Sequence, residues 1–150
     1  MKTVRTAVVV PGPVEEVEAL WFDLTRWPAF VDGFAAVAKR DEAWPRAGSL
    51  AWDSRPGGRG RVLEDVTGYE PGAGHASRVE DAQLRGTQTV GFTEEGDVVR
   101  VSLALEYELK ERTPFTPIVD AFFVRRALGD SLRRTLTRFA SERAGDAELT

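Results

Sequence analysis

The segment that most limits how this chain can fold lies near its C-terminus. After Pro114 and Pro117 the pattern turns helical until about Ala144. At 100° per residue, Ile118, Ala121, Phe122, Val124, Leu128, Leu132, Leu136 and Phe139 fall on one face, and Asp120, Asp130, Arg133, Arg134, Thr137, Arg138 and Glu142 fall opposite. A helix of this length with one apolar stripe must bury that stripe against something large.

The only large partner lies upstream. From Phe34 to about Lys110 the hydrophobic period changes to two, broken by turn residues at Trp44-Pro45-Arg46-Ala47-Gly48, Arg55-Pro56-Gly57-Gly58, Glu70-Pro71-Gly72-Ala73-Gly74 and Glu94-Glu95-Gly96-Asp97. This predicts a meander of about six strands. In the clearest of them Val99, Val101, Leu103, Leu105, Tyr107 and Leu109 alternate with Arg100, Ser102, Ala104, Glu106 and Glu108, so one face is buried and one is wet. Thr3–Val10 adds an earlier strand, stopped by Pro11-Gly12-Pro13. The expected class is therefore α+β, with a curved antiparallel sheet of about seven strands wrapped on a long C-terminal helix.

Between the first strand and the meander lie two short helices. Pro13 suits a first helical turn and Glu15 and Glu16 favour its dipole, while Val14, Val17, Leu20, Trp21 and Leu24 form a stripe. Because a residue before proline is pushed out of helical geometry, Trp27 is expected to break the chain before a second piece, Pro28–Val31, ending near Gly33. Trp27 and Phe30 read as packing that fixes this corner.

A chain of 150 residues, 42% hydrophobic, fits one domain spanning 1–150, with 145–150 as a frayed tail. The net charge of −4 argues against nucleic acid as a partner. No apolar run is long enough for integral membrane association, and the start lacks a signal-peptide pattern, so a cytoplasmic location is expected. With no cysteine and a single histidine, no thiol nucleophile and no metal site is expected, and no cofactor.

The stretches "VPGPVEEVEALWFDLTRWPAFVDGFAAV", "EDVTGYEPG", "LRGTQTVGFTEEGDVVRVSLALEYEL" and "FFVRRALGDSLRRTLTRFASE" occur in an order that resembles the SRPBCC superfamily, with its START-like helix-grip fold, and in particular its polyketide cyclase/dehydrase branch. The resemblance implies a cavity between sheet and C-terminal helix that binds a hydrophobic or amphipathic small molecule, lipid- or polyketide-like, as in lipid transport. A cyclase/aromatase-type enzyme using acid/base groups of the cavity is the alternative, and no family-wide catalytic motif chooses between them.

Within that frame Trp52, Phe92, Leu105, Tyr107 and Phe122 are expected to line the ligand-binding cavity, with Leu50, Val90 and Leu103 on the same inner face. Tyr107 offers a hydroxyl handle, and Arg125 sits inside the helix stripe, where it either pairs a ligand's carboxylate or phenolate or reaches out to the rim. Arg126 points to the surface. Glu64 shares the phase of Val62 and Val66, which would turn it inward, whereas Leu63 and Tyr69 support the opposite register, and the pattern leaves the choice open. Glu64 and Tyr107 are the catalytic candidates. His75 is expected to be exposed at a strand start. The arginine- and glycine-rich stretch Ser54–Arg61 reads as a hairpin tip that gates the cavity mouth, and Val119 and Phe123 as cover for a loop or a small homodimer patch.

Overall fold

A computed structural model of the chain describes residues 1–110 and 119–149, with side chains of 119–121 outside that description. The Pro114–Pro117 boundary, Ile118 and the side chain of Val119 therefore fall outside the described residues. The elements run β1 (Lys2–Pro11), α1 (Val14–Trp21), a 3₁₀ turn (Leu24–Arg26), α2 (Trp27–Phe30), β2 (Phe34–Arg40), β3 (Ser49–Ser54), β4 (Arg61–Glu70), β5 (Gly74–Glu80), β6 (Leu84–Glu95), β7 (Val98–Leu109) and α3 (Val119–Glu148). The strands form one seven-stranded antiparallel sheet in the order β1-β7-β6-β5-β4-β3-β2. This is the helix-grip arrangement the sequence predicts.

The alternation in β7 holds throughout: Val99, Val101, Leu103, Leu105 and Tyr107 are buried and the residues between them face away. Gly86 lies opposite Tyr107, and a Cβ there would come within 2.0 Å of the Glu106 carbonyl oxygen, so only glycine allows the two strands to approach this closely.

The corner differs from expectation in where it breaks. Asp23 makes the break, its carboxylate accepting from the Thr25 amide at 3.0 Å, and Trp27 is already helical at φ −55°, ψ −36°. Packing overrides the pre-proline preference, because the Trp27 indole donates to the Trp21 carbonyl at 2.8 Å and its ring sits edge-on to those of Phe34, Trp44 and Trp52.

Helix α3 is anchored by its second half. Leu132, Leu136 and Phe139 are buried, and the Phe139 ring lies 5.1 Å from that of Phe30 and 5.2 Å from that of Trp21. Polar clasps flank these rings. Asp32 accepts from Ser131 Oγ at 2.7 Å and from Arg134 at 3.0 Å, while the buried Arg143 donates to the carbonyls of Pro11 and Gly12 and to Glu16. Arg26 reaches Glu142 and Asp146 at 3.1 and 3.0 Å, which carries the helix to Glu148. Residues 145–148 are thus helical rather than frayed.

Phe139→Ala should cost about 3–5 kcal/mol by loss of buried ring contacts. Leu63→Thr, on the outward side of β4 at 46% exposure, should stay within about 0.5 kcal/mol. Urea unfolding of both variants checks the assignment of faces, and a large loss for Leu63→Thr would contradict it.

Candidate functional site

Between the concave sheet face, the corner and α3 lies a cavity of about 50 Å³. By volume it holds on the order of three or four water molecules. Its wall is aromatic, with Phe22, Trp27, Trp44 and Trp52, but Glu64, His75, Ser77 and Gln88 also face it.

Glu64 points inward and is only 7% exposed. The conflicting phase signal from Tyr69 has a physical source: a bulge between Val66 and Gly68 shifts the register of β4 against β5. Before the bulge Val66 pairs with Ser77, and after it Tyr69 pairs with His75, so Glu64 and Tyr69 lie on the same face despite their odd spacing. Glu64 Oε2 accepts from the Trp52 indole at 2.7 Å. Burial pushes the Glu64 carboxyl above the usual carboxylate range, and the Trp52 hydrogen bond and the Arg59 charge only partly oppose this.

The β3–β4 hairpin brings Arg59 over this wall. Its Nε donates to Asp81 Oδ2 at 2.7 Å, and its guanidinium lies 5.9 Å from the Trp52 ring. Asp81 is held in place by the amides of Gln83 and Leu84, which donate to its other oxygen at 2.7 and 3.0 Å. One ion pair therefore ties the β3–β4 hairpin to the β5–β6 turn. Gly57 and Gly60 in that hairpin adopt φ of 85° and 74°, a backbone that residues with side chains resist.

His75 is not exposed, contrary to the sequence expectation. It begins the inward phase His75, Ser77, Val79 of β5, and Nε2 donates to the Pro45 carbonyl at 2.9 Å. Its ring packs against Phe22, Tyr69 and Trp44, and burial lowers its pKa. Nearby, Tyr69 donates to Glu18 at 2.6 Å; burial and that carboxylate push the Tyr69 hydroxyl up to about 12.

Of the other sequence-predicted residues, Trp52 lines the cavity, whereas Phe92, Leu105 and Tyr107 are buried in the packed wall beyond it. Phe122 and Arg125 require correction. Phe122 is 76% exposed, and both border an open surface hollow with Arg126 and with Thr3, Val4 and Arg5 of β1. A helical wheel gives the azimuth of a side chain, not whether a partner stands at that height along the axis. Phe123 is exposed as well. Sequence reasoning placed Trp44 in a turn and passed over Ser77, Gln88 and Asp81. The signal for Ser77 and Gln88 was present, since each is in phase with buried neighbours, Val79 and Val90 respectively.

Glu64 generates a sign that can be measured. Its folded pKa is raised, so the unfolded chain loses this proton more readily, and the native state loses stability as pH rises from the unfolded value near 4.5 through the folded one. Glu64→Gln should therefore raise stability at pH 7 by about 1–2 kcal/mol and change it little at pH 4. Denaturant unfolding at both pH values tests this; a loss at pH 7 would show that the carboxylate is stabilised where it sits.

A sequence profile of the family described as polyketide cyclase / dehydrase and lipid transport matches residues 1–142. Similar solved structures include TTHA0849 from Thermus thermophilus, at 23% identity and TM-score 0.77 over 97% of this chain and 99% of that one. A START superfamily protein from Mycobacterium smegmatis is similar at 16% identity and TM-score 0.75, over 99% of each chain. The di-domain ARO/CYC StfQ from the steffimycin biosynthetic pathway matches at 16% identity and TM-score 0.75, over 99% of this chain and 52% of StfQ. At these identities the likeness is one of fold. No curated protein matches the sequence.

Proposed function

Because the chain belongs to the polyketide cyclase / dehydrase and lipid transport family, we propose that it takes up a hydrophobic or amphipathic small molecule between the concave sheet face and α3, with the inner end of the ligand at Glu64. The observation that carries this reading is Glu64 itself: a side chain with a carboxyl group, buried in an aromatic wall and facing a void. Such a group is unfavourable for folding alone, and aromatic walls with a few polar handles are what small-molecule sites use.

A void of about 50 Å³ is far below the roughly 300 Å³ at which ligand pockets begin. Uptake therefore requires an opening movement, and the hairpin carrying Arg59 is the element placed to make it, since the Arg59–Asp81 pair is its link to the β5–β6 turn. Trp52 and Glu64 are the contact residues in this reading, and Phe92, Leu105 and Tyr107 shape the wall from behind. Phe122 and Arg125 stand outside it. Among the described residues no helix is long and apolar enough to cross a membrane.

The enzyme reading has one observation of its own in its favour. Burial raises the pKa of Glu64 toward the neutral range, where acid/base catalysis works best, and lowers that of His75 on the same cavity, which keeps its imidazole uncharged at pH 7. Tyr107, behind the wall, does not share this position.

Native mass spectrometry of the protein incubated with palmitate and with flat polycyclic aromatics tests the binding reading. A one-to-one adduct that loses at least five-fold occupancy in Trp52→Leu is expected, and the absence of any adduct would contradict it. For catalysis, hydrogen–deuterium exchange at the central carbon of an aryl β-diketone should be accelerated and should fall about ten-fold or more in both Glu64→Gln and His75→Asn. Unchanged exchange in both variants would remove the enzyme reading.

A further inference from the structure

The cavity wall holds three unmatched polar atoms, all of them able to donate. Three of its residues, Trp44, Arg59 and Ser77, carry a buried polar atom with no partner among the described residues: Trp44 Nε1, Arg59 Nη2 and Ser77 Oγ. An indole N–H and a guanidinium N–H can only donate, and a serine hydroxyl can donate or accept. Three acceptors in these surroundings are engaged elsewhere. Asp81 takes Arg59 Nε and two backbone amides, Glu64 Oε2 takes the Trp52 indole, and the Pro45 carbonyl takes His75. Leaving donors of this kind buried and unmatched is costly, and native proteins rarely do so away from functional sites.

The environment of these donors also limits their ligand. The Arg59 charge is matched by Asp81 at 2.7 Å, so the cluster attracts an acceptor without demanding a full negative charge. The surrounding surface is aromatic, with Trp27 edge-to-face against Trp44 and Trp52 at 5.9 and 6.3 Å, and offers both ring faces and ring edges to an aromatic ligand.

We infer that Trp44 Nε1, Arg59 Nη2 and Ser77 Oγ form a specificity subsite for an acceptor oxygen, a carbonyl or carboxylate borne on an aromatic ring, at the inner end of the ligand. This rests on the binding reading above and adds to it a chemical preference that burial of apolar surface alone would not produce. A ligand presenting a donor at that end can be met by Ser77 alone and leaves Trp44 Nε1 and Arg59 Nη2 unmatched, and a plain hydrocarbon leaves all three as they are.

The test is a series of four ligands of nearly one shape: 2-acetylnaphthalene, 2-naphthoate, 2-ethylnaphthalene and 2-naphthylmethylammonium. Affinities are read by quenching of tryptophan fluorescence and by native mass spectrometry. With the unmodified protein, the two acceptor ligands should bind at least ten-fold more tightly than 2-ethylnaphthalene, and the ammonium ligand should bind most weakly. In Ser77→Ala and in Trp44→Phe the preference for 2-acetylnaphthalene over 2-ethylnaphthalene should shrink at least three-fold, with affinity for the hydrocarbon changed less than two-fold in Ser77→Ala. Equal binding of acceptor and hydrocarbon, or a preference that both variants retain, would overturn the subsite while leaving the cavity reading standing. Failure of all four to bind would overturn the cavity reading and the subsite with it. The comparison on the unmodified protein decides the matter even if one variant does not fold.

Discussion

The rings of Trp21, Phe30 and Phe139, centred 5.1 to 5.7 Å apart, join α1, α2 and α3 at one point. Every other placement follows from that joint. It holds the second half of α3 over the sheet, with the Asp32 and Arg143 clasps on either side fixing the helix against sliding or rolling. It also sets the direction in which Trp27 leaves α2, so that Trp27, Trp44 and Trp52 complete the wall where the helix does not reach. What these aromatic rings leave unfilled is the cavity.

That space is polar where a stable core would be apolar. A carboxyl group with an elevated pKa, a histidine with a lowered one and three residues that each carry an unmatched buried polar atom all line one small void. Each arrangement works against folding, and their convergence on a single place in an otherwise well-packed interior is how binding and catalytic sites depart from the rules the rest of the molecule follows. In the proposed reading the Arg59–Asp81 pair is the fastening that gives way when ligand enters. It fastens a glycine-containing hairpin through one partly exposed side chain, alongside the Arg55 amide that donates to the Gly33 carbonyl at 2.8 Å, and neither link involves a layer of core.

Much of this was legible in the sequence where periodicity alone decides structure. The alternation in β7, the stripe through Leu132, Leu136 and Phe139, and the Trp27–Pro28 corner correspond to buried faces as read. Legibility failed where a local device breaks the period or a long-range partner decides. The bulge after Val66 made Tyr69 argue against the true phase of Glu64. His75 follows a Gly-rich turn and reads as exposed, yet Phe22, Trp44 and Tyr69, drawn from three other segments, enclose it. Arg125 and Phe122 lie at the azimuth expected of them, but at a height along α3 where they border an open hollow beside the edge strand β1. Ser77 is a small polar residue in a hydrophobic phase, a weak signal that acquires meaning only once its neighbours are known to be unmatched donors.

The central claim is that ligand enters the space beneath the Arg59 hairpin rather than the hollow beside β1. The four tryptophans supply the probe, since each indole N–H gives one resonance in a ¹⁵N–¹H spectrum. On titration with 2-naphthoate, the Trp44 and Trp52 indole signals should move most and saturate together. The Trp27 indole, held by the Trp21 carbonyl, should move less. Shifts confined to the backbone amides of Arg5, Phe122 and Arg125, with all four indoles unmoved at saturation, would contradict the account.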